Sequence, residues 1–339
     1  MKIIEDLGED NFQILSLSGG GYFGLYQAVI LSELEEEIGK PIAQCFDLIA
    51  GTSIGGIIAL ALALEIPAAQ IRDTFINHGQ SIFSNRQLPK NLGVFLDLTR
   101  FLFKAKYQQK GLIRALNQLI DPSFMIGDLK HPVVIPTINV TRGEPQILKT
   151  PHHKNFQQDY KKKVCEVALA TSAAPTIFPL AKIGDELFTD GGLCANMPDL
   201  VALHEAEHFF GIPTNHISIL SIGTTTSNFS FSHSIGQNLG AVDWLLNNRL
   251  LSVILSSQQK MTKFMMSHKL GDRYIYIDST PSKEQQSDLG LDVATESAQS
   301  TIKGLATGEF RNTINKPGLR KMLEHTAKKP HFYYGKHRN

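Results

Sequence analysis

The sequence predicts an α/β fold built on a largely parallel sheet. Short apolar runs that suit buried strands alternate with helix-length segments. Two of the strand-to-helix crossings run through glycine clusters, and neither a repeat nor a clear linker interrupts the alternation. The chain has 339 residues, 42% hydrophobic and 19% charged, a composition of globular proteins. That length is compatible with one α/β domain carrying insertions and with two domains. A formal net charge of +1 points to neither nucleic acid nor acidic substrates. Cys45, Cys165 and Cys194 are far apart, suit a reducing cytosol and form no metal spacing. Residues 1–10 are acidic and polar, unlike a signal peptide. The apolar run at 54–64 is too short to span a bilayer, so any membrane contact is expected to be peripheral.

Taken in order, residues 12–18 read as a strand that enters Gly19-Gly20-Gly21-Tyr22-Phe23-Gly24, followed by a helix over 25–38 stopped by Gly39-Lys40-Pro41. Residues 46–64 give a short strand, a turn through Gly51-Thr52-Ser53-Ile54-Gly55-Gly56, and a buried Ala/Leu-rich helix. Residues 67–79 read as a helix and 80–91 as a polar loop. The aromatic run 92–103, followed by Lys104 and Lys106, fits a cover for an acyl pocket, a lipid-contact surface or an insertion packed on the core. A helix over 111–120 and strands over 132–140 and 144–149 come next. Lys161-Lys162-Lys163 reads as a solvated face, and a helix over 164–174 is ended by Pro175. The strand 187–189 runs into Asp190-Gly191-Gly192, and Pro198 starts a helix over 199–210 capped by Gly211. After the strand 216–222 the pattern weakens. Helices over 242–257 and 258–268 are expected, with Met261, Phe264, Met265 and Met266 in the core, then a strand over 273–277 and a basic tail frayed after Lys328.

Ser53 is the centre of a G-x-S-x-G, the strand-to-helix elbow on which hydrolases hold a nucleophile. The following helix points its positive end at Ser53, favouring the anions met in acyl transfer. The loop Gly19–Gly24 also overlays the dinucleotide-binding G-x-G-x-x-G, but no acidic residue closes a second strand about 20 residues on, and no G-K-[ST] follows. Beside a serine elbow, its backbone N–H groups are read as an oxyanion hole.

A base for Ser53 has several candidates. Ser53, Asp190 and then His204, His208, His216 or His233 satisfy the α/β-hydrolase order, yet none of those histidines sits in a glycine-flanked loop at a strand end. Asp190 does, which leaves it as the direct base, its basicity raised by a desolvating cleft. A competing motif is His204-Glu205-Ala206-Glu207-His208, the H-E-x-x-H of zinc peptidases. The helix's apolar stripe is Leu200, Leu203, Ala206 and Phe210, so both histidines fall on the opposite, solvated face, and no convincing third ligand follows.

Gly19-Gly20-Gly21-x-x-Gly24, then G-T-S-I-G around Ser53, then D-G-G-L-C-A-N-M-P from Asp190 to Pro198 resemble the three signatures of the patatin-like phospholipases, in the right order. The resemblance covers about residues 12–223. It implies a three-layer α/β/α fold with a mostly parallel central sheet, and hydrolysis of phospholipid acyl esters through an acyl-serine. It assigns Ser53 and Asp190 as a dyad, with no catalytic histidine, metal or cofactor. Gly19, Gly20 and Gly21 supply the oxyanion hole, while Gly24, Gly51, Gly55, Gly191, Gly192, Asn196 and Pro198 support the motifs. One position departs: the family commonly has Arg or Lys where this chain has Phe23, which leaves the rate and the preferred head group open.

The stretches S-G-G-G-Y-x-G-L-Y, A-T-S-A-A-P-T and L-H-E-A-E-H-F, with the run from Phe46 to Pro67, resemble the bacterial CapV-type effectors of CBASS anti-phage systems. Those are cytosolic patatin-like phospholipases switched on by a cyclic dinucleotide. The resemblance implies a cGAMP-like activator, membrane phospholipids as substrate, no nucleic-acid partner, a homo-oligomer on activation, and a cytoplasmic protein peripheral to the inner membrane when active. Residues 12–223 are then the catalytic core and 224–339 an extension packed on the same domain, with a regulatory role. The alternatives are a constitutive lipase or esterase, and the zinc peptidase.

Overall fold

The computed structural model describes residues 11–83, 105–225, 229–240, 243–244 and 249–339. Its strands are β1 (Phe12–Leu17), β2 (Leu48–Gly51), β3 (Val133–Asn139), β4 (Glu144–Lys149), β5 (Ala181–Ile183), β6 (Glu186–Asp190), β7 (Ile217–Ile222) and β8 (Tyr274–Ile277). They form one sheet in the order β5-β6-β3-β2-β1-β7-β8, with β4 paired to β3. The central run β3-β2-β1-β7-β8 is parallel, and β4, β5 and β6 are antiparallel additions at one side. β1 lies in the middle, with Leu15 level with Ile49 on one side and Leu220 on the other. Parallel strands buried on both faces need near-continuous apolar sequence, which F-Q-I-L-S-L and I-S-I-L-S-I provide.

The helices of eight or more residues are α1 (Gly24–Ile38), α2 (Ile54–Ala63), α3 (Ala68–Ile82), α4 (Lys110–Leu119), α5 (Val164–Thr171), α6 (Asp199–His208), α7 (Arg249–Leu270), α8 (Glu296–Thr313) and α9 (Pro317–Glu324). Side chains alternate across the sheet. Leu15, Leu17, Ile49, Ile135, Leu220 and Ile222 pack with α1 to α5, α8 and α9, whereas Ile14, Leu48, Ala50, Ile217 and Ile219 pack with α6 and α7. The result is the three-layer α/β/α arrangement. β8 extends the sheet beside β7, and residues of α7 to α9 pack in the two helical layers.

Several element readings change. The helix expected over 164–174 stops at Thr171, whose side chain is engaged with the serine elbow. The two helices expected over 242–268 are one, Arg249–Leu270, where it is described. Met266 is buried as expected, but Met261, Phe264 and Met265 point to solvent. The C-terminal tail is docked rather than frayed. Tyr333 N–H donates to Pro151 O at 2.8 Å, Lys336 N–H to Gly127 O at 3.0 Å, and Phe332 is buried. The aromatic run 92–103 lies outside the described residues.

Candidate active site

Ser53 sits between β2 and α2 with φ 55° and ψ −123°, a conformation that strains a residue bearing a Cβ. The strain is held by a clamp: Ser53 N–H donates to Thr171 Oγ1 at 2.9 Å, and the Thr171 hydroxyl donates to Pro136 O at 2.7 Å. The elbow crosses its surroundings at very short range. A Cβ on Gly51 would lie 2.2 Å from Gly55 O, and one on Gly55 would lie 2.3 Å from Leu17 O. These contacts require glycine because backbone occupies the space a side chain would need.

Asp190 ends β6 opposite Thr137 of β3, beyond the carboxyl end of β2, where α/β sheets carry their sites. Ser53 Oγ donates to Asp190 Oδ2 at 2.6 Å, and Gly192 N–H donates to Asp190 Oδ1 at 2.7 Å. Burial raises the Asp190 carboxyl from 3.8 to about 6, against the hydrogen bonds from Ser53 and Gly192, which lower it. A carboxylate so placed is ionised near neutrality and a better base than one in water. Asp190 N–H is itself tied to Ala173 O at 3.1 Å, which fixes the side chain's approach.

The glycine loop lies beside Ser53. Gly19, read from sequence as an oxyanion donor, donates its N–H to Asn196 O at 2.9 Å and has none to offer a substrate. Gly20 and Gly21 line the cleft, and among the described residues no hydrogen bond uses their N–H groups. Gly21 holds φ +58°, and a Cβ there would meet Leu291 O at 2.1 Å. Asn196 Nδ2 donates to Gly19 O at 3.3 Å and the Thr224 hydroxyl donates to the same oxygen at 2.9 Å, so the third motif and the end of β7 brace the loop together. Gln27, from α1, spans Ser18 O and Ile222 O at 3.0 and 2.8 Å. Phe23, at the position that departs from the family's usual cation, is buried and packs into the core.

Ser53 and Asp190 open onto a narrow apolar cleft. Ile54, Ile57, Phe75, Leu116, Phe178 and Leu255 are among its walls, which are apolar throughout except at the dyad and a few Ser, Thr and Asn side chains. Among the described residues, no charged side chain other than Asp190 lines it. Leu251 and Leu255 of α7 and Leu291 come from residues 224–339, the part that the sequence reading placed outside the catalytic core. Leu291 belongs to a strap that ties the two walls together. Tyr22 N–H donates to Leu291 O at 2.7 Å, and Asp292 pairs with Lys106 and accepts from Tyr107 OH at 3.1 Å. Lys106 and Tyr107 are in turn bonded through their N–H groups to Thr176 and Ile177.

The H-E-x-x-H motif is elsewhere and differently used. Glu205, expected on a solvated face, is buried; it accepts from Lys149 Nζ at 2.6 Å and lies 2.9 Å from His152 Nε2. Burial raises its carboxyl, but His152 and Lys149 outweigh that and hold it below its usual range. With both oxygens engaged it is not free to serve His204 and His208 as a zinc-site base. The arrangement reflects β4, which brings Lys149 under α6, a long-range contact that helix periodicity does not report. Among the described residues no cluster of three or more His, Cys, Asp or Glu is placed to hold a metal ion. Among them, too, no helix is long and apolar enough to cross a membrane.

A strained serine on a strand–helix elbow, hydrogen-bonded to a buried carboxylate beside free backbone N–H groups and an apolar cleft, has the parts that acyl transfer to serine needs. Residues 15–203 match the model of the patatin-like phospholipase family. The chain is 38% identical over 334 residues to a cGAMP-activated phospholipase of Pseudomonas aeruginosa, covering 98% of each. It is 35% identical to one of Vibrio cholerae, covering 89% of this chain and 92% of that protein, and 31% identical to one of Escherichia coli, covering 91% and 93%. The chain therefore belongs to the patatin-like phospholipases, enzymes that hydrolyse lipid acyl esters.

Proposed function

We propose that this protein releases fatty acids from membrane phospholipids with Ser53 as nucleophile and Asp190 as its base, under the control of cGAMP. The observation that carries the chemistry is the 2.6 Å hydrogen bond from Ser53 Oγ to Asp190 at the apolar cleft. Ser53 Oγ attacks the ester carbonyl carbon while its proton passes to Asp190 Oδ2. The carbonyl oxygen gains charge and meets the N–H groups of Gly20 and Gly21, next to the N-terminus of α2. Collapse breaks the ester C–O bond, and the leaving alcohol takes the proton from Asp190. Water then attacks the acyl-serine, with Asp190 accepting its proton and returning one to Ser53. The acyl chain occupies the cleft lined by Ile57, Phe75 and Leu116.

Control by cGAMP is supported by the three bacterial relatives, which bear that activator in their names and align over nearly the whole chain. Residues 12–223 are the catalytic core on this reading, and 224–339 carry the control. Leu291 and Asp292, in the second part, bridge the glycine loop and the opposite wall. The working protein is cytoplasmic, reaches the inner membrane peripherally and forms a homo-oligomer when activated. The test is release of fatty acid from phospholipid vesicles by wild type and Ser53→Ala, with and without cGAMP. Release that needs both Ser53 and cGAMP is expected. Release by Ser53→Ala removes the nucleophile, and equal release without cGAMP removes the control while keeping the lipase.

A further inference from the structure

The helix α7 has two ends with different tasks. At its start Leu251 and Leu255 line the cleft. Roughly 15 Å further along, at about 1.5 Å per residue, Met261, Phe264 and Met265 face outward, 59%, 66% and 44% exposed. Phe264 and Met265 line a shallow groove between α7 and α6 with Leu200, Leu203 and Met266, rimmed by His204, Glu207, His268 and Lys269, and Met261 lies one turn before it. Large apolar side chains grouped in solvent mark a contact surface rather than a core face.

The charges around them select the contact. From Arg249 to Leu270 the helix carries Arg249, Lys260, Lys263 and Lys269, adds His268, and contains no Asp or Glu. Lys260 and Lys269 border the apolar group and are exposed, whereas Lys263 is turned roughly 150° away from it, with Nζ 4.2 Å from the Tyr276 ring. Glu207 of α6 lines the same groove and is paired with Lys269 Nζ at 3.8 Å. An apolar stripe bordered by cations suits a bilayer interface with anionic head groups, into which Phe and Met side chains insert while lysines reach the phosphates. The area argues against a second copy of the chain. Three side chains at these exposures present roughly 300–400 Å² of surface, well under the ~800 Å² per partner of a stable interface.

We infer that the outward face of α7, centred on Met261, Phe264 and Met265, is the surface that docks this protein on an anionic phospholipid bilayer. The same helix then links the docked surface to the cleft through Leu251 and Leu255. The inference rests on the phospholipase reading above for its substrate, but its test does not depend on turnover.

The experiment is flotation of the full chain with vesicles of phosphatidylcholine alone or with phosphatidylglycerol added, each with and without cGAMP. It compares wild type, Phe264→Glu, and the milder Met261→Ser/Phe264→Ser. Wild type is expected to float with phosphatidylglycerol vesicles at low salt, with binding weakened at least about tenfold in both variants. Hydrolysis of a short-chain, water-soluble ester should be unchanged in both variants, which shows that they are folded. Wild type that floats with neither vesicle in either condition, or variants that float as well as wild type, overturns the inference. So does an oligomer, seen by sedimentation without lipid, that the substitutions dissociate, because the face then binds protein. Flotation without hydrolysis of any ester would keep the docking surface and reject the phospholipase reading.

Discussion

Replacing Asp190 with asparagine separates the carboxylate's part in the reaction from its effect on the fold. Asparagine has nearly the same shape, can still accept from Gly192 N–H, and stands in for the neutral acid. In the folded chain the Asp190 carboxyl titrates at about 6 instead of 3.8, because burial disfavours its charge. Each pH unit is about 1.36 kcal/mol, so the ionised carboxylate lowers stability by about 3 kcal/mol relative to its protonated form. The sign follows from the raised value. The folded state holds the proton more tightly than the unfolded one, so wild type loses stability as pH rises from 3.8 to about 6 and stays at that level above. Asp190→Asn should therefore be more stable than wild type by about 2–3 kcal/mol at pH 8, a gap that closes as pH falls toward 4. Urea unfolding of both proteins across that range measures it, and other titrating groups cancel in the difference. Ester hydrolysis by the variant should fall by about 10²–10⁴-fold. A variant less stable than wild type at pH 8, or a gap that does not change with pH, would refute the electrostatic account of this site.

Three more outcomes follow from the same geometry. The rate on a water-soluble ester should rise with pH and reach half its plateau near 6, where Asp190 loses its proton, with no further requirement for an ionising histidine; a profile set near pH 7 and abolished by a histidine substitution would contradict this. Glu205→Ala should cost about 3–5 kcal/mol in urea unfolding, because it leaves half-buried Lys149 and buried His152 without their partner, whereas chelators should leave hydrolysis unchanged. Asp292→Asn should loosen the strap by breaking its pair with Lys106, which at these partial exposures is worth about 1 kcal/mol. Fatty-acid release without cGAMP should then rise about fivefold, and an unchanged or lower basal rate would show that the strap does not restrain the site.

The parts of this molecule that were legible in its sequence are those fixed locally. The elbow at Ser53 and the turn after Asp190 announce themselves through glycines, since backbone packs against backbone there. The strands β1 and β7 are mostly apolar because both faces are covered, and a short apolar run reports that directly. What depended on distant pairing was not legible. Glu205 looked solvated on its own helix because the partner that buries it, Lys149, comes from β4. Gly19 matched an oxyanion motif, but its N–H is taken by Asn196, far along the chain. Thr171 showed no sign of its clamp on Ser53, and it ended a helix that its neighbours' propensities would have continued. Met261 and Phe264 read as core by composition, and their exposure follows from which face of α7 meets α6.

The central claim is that Ser53, activated by Asp190, is the acyl-accepting nucleophile. The most direct measurement is the intact mass of the protein after exposure to a long-chain fluorophosphonate, followed by peptide mapping. The account predicts one adduct per chain, on Ser53, absent in Ser53→Ala and formed far more slowly in Asp190→Asn. An adduct on another serine, or equal labelling of Asp190→Asn and wild type, would contradict it.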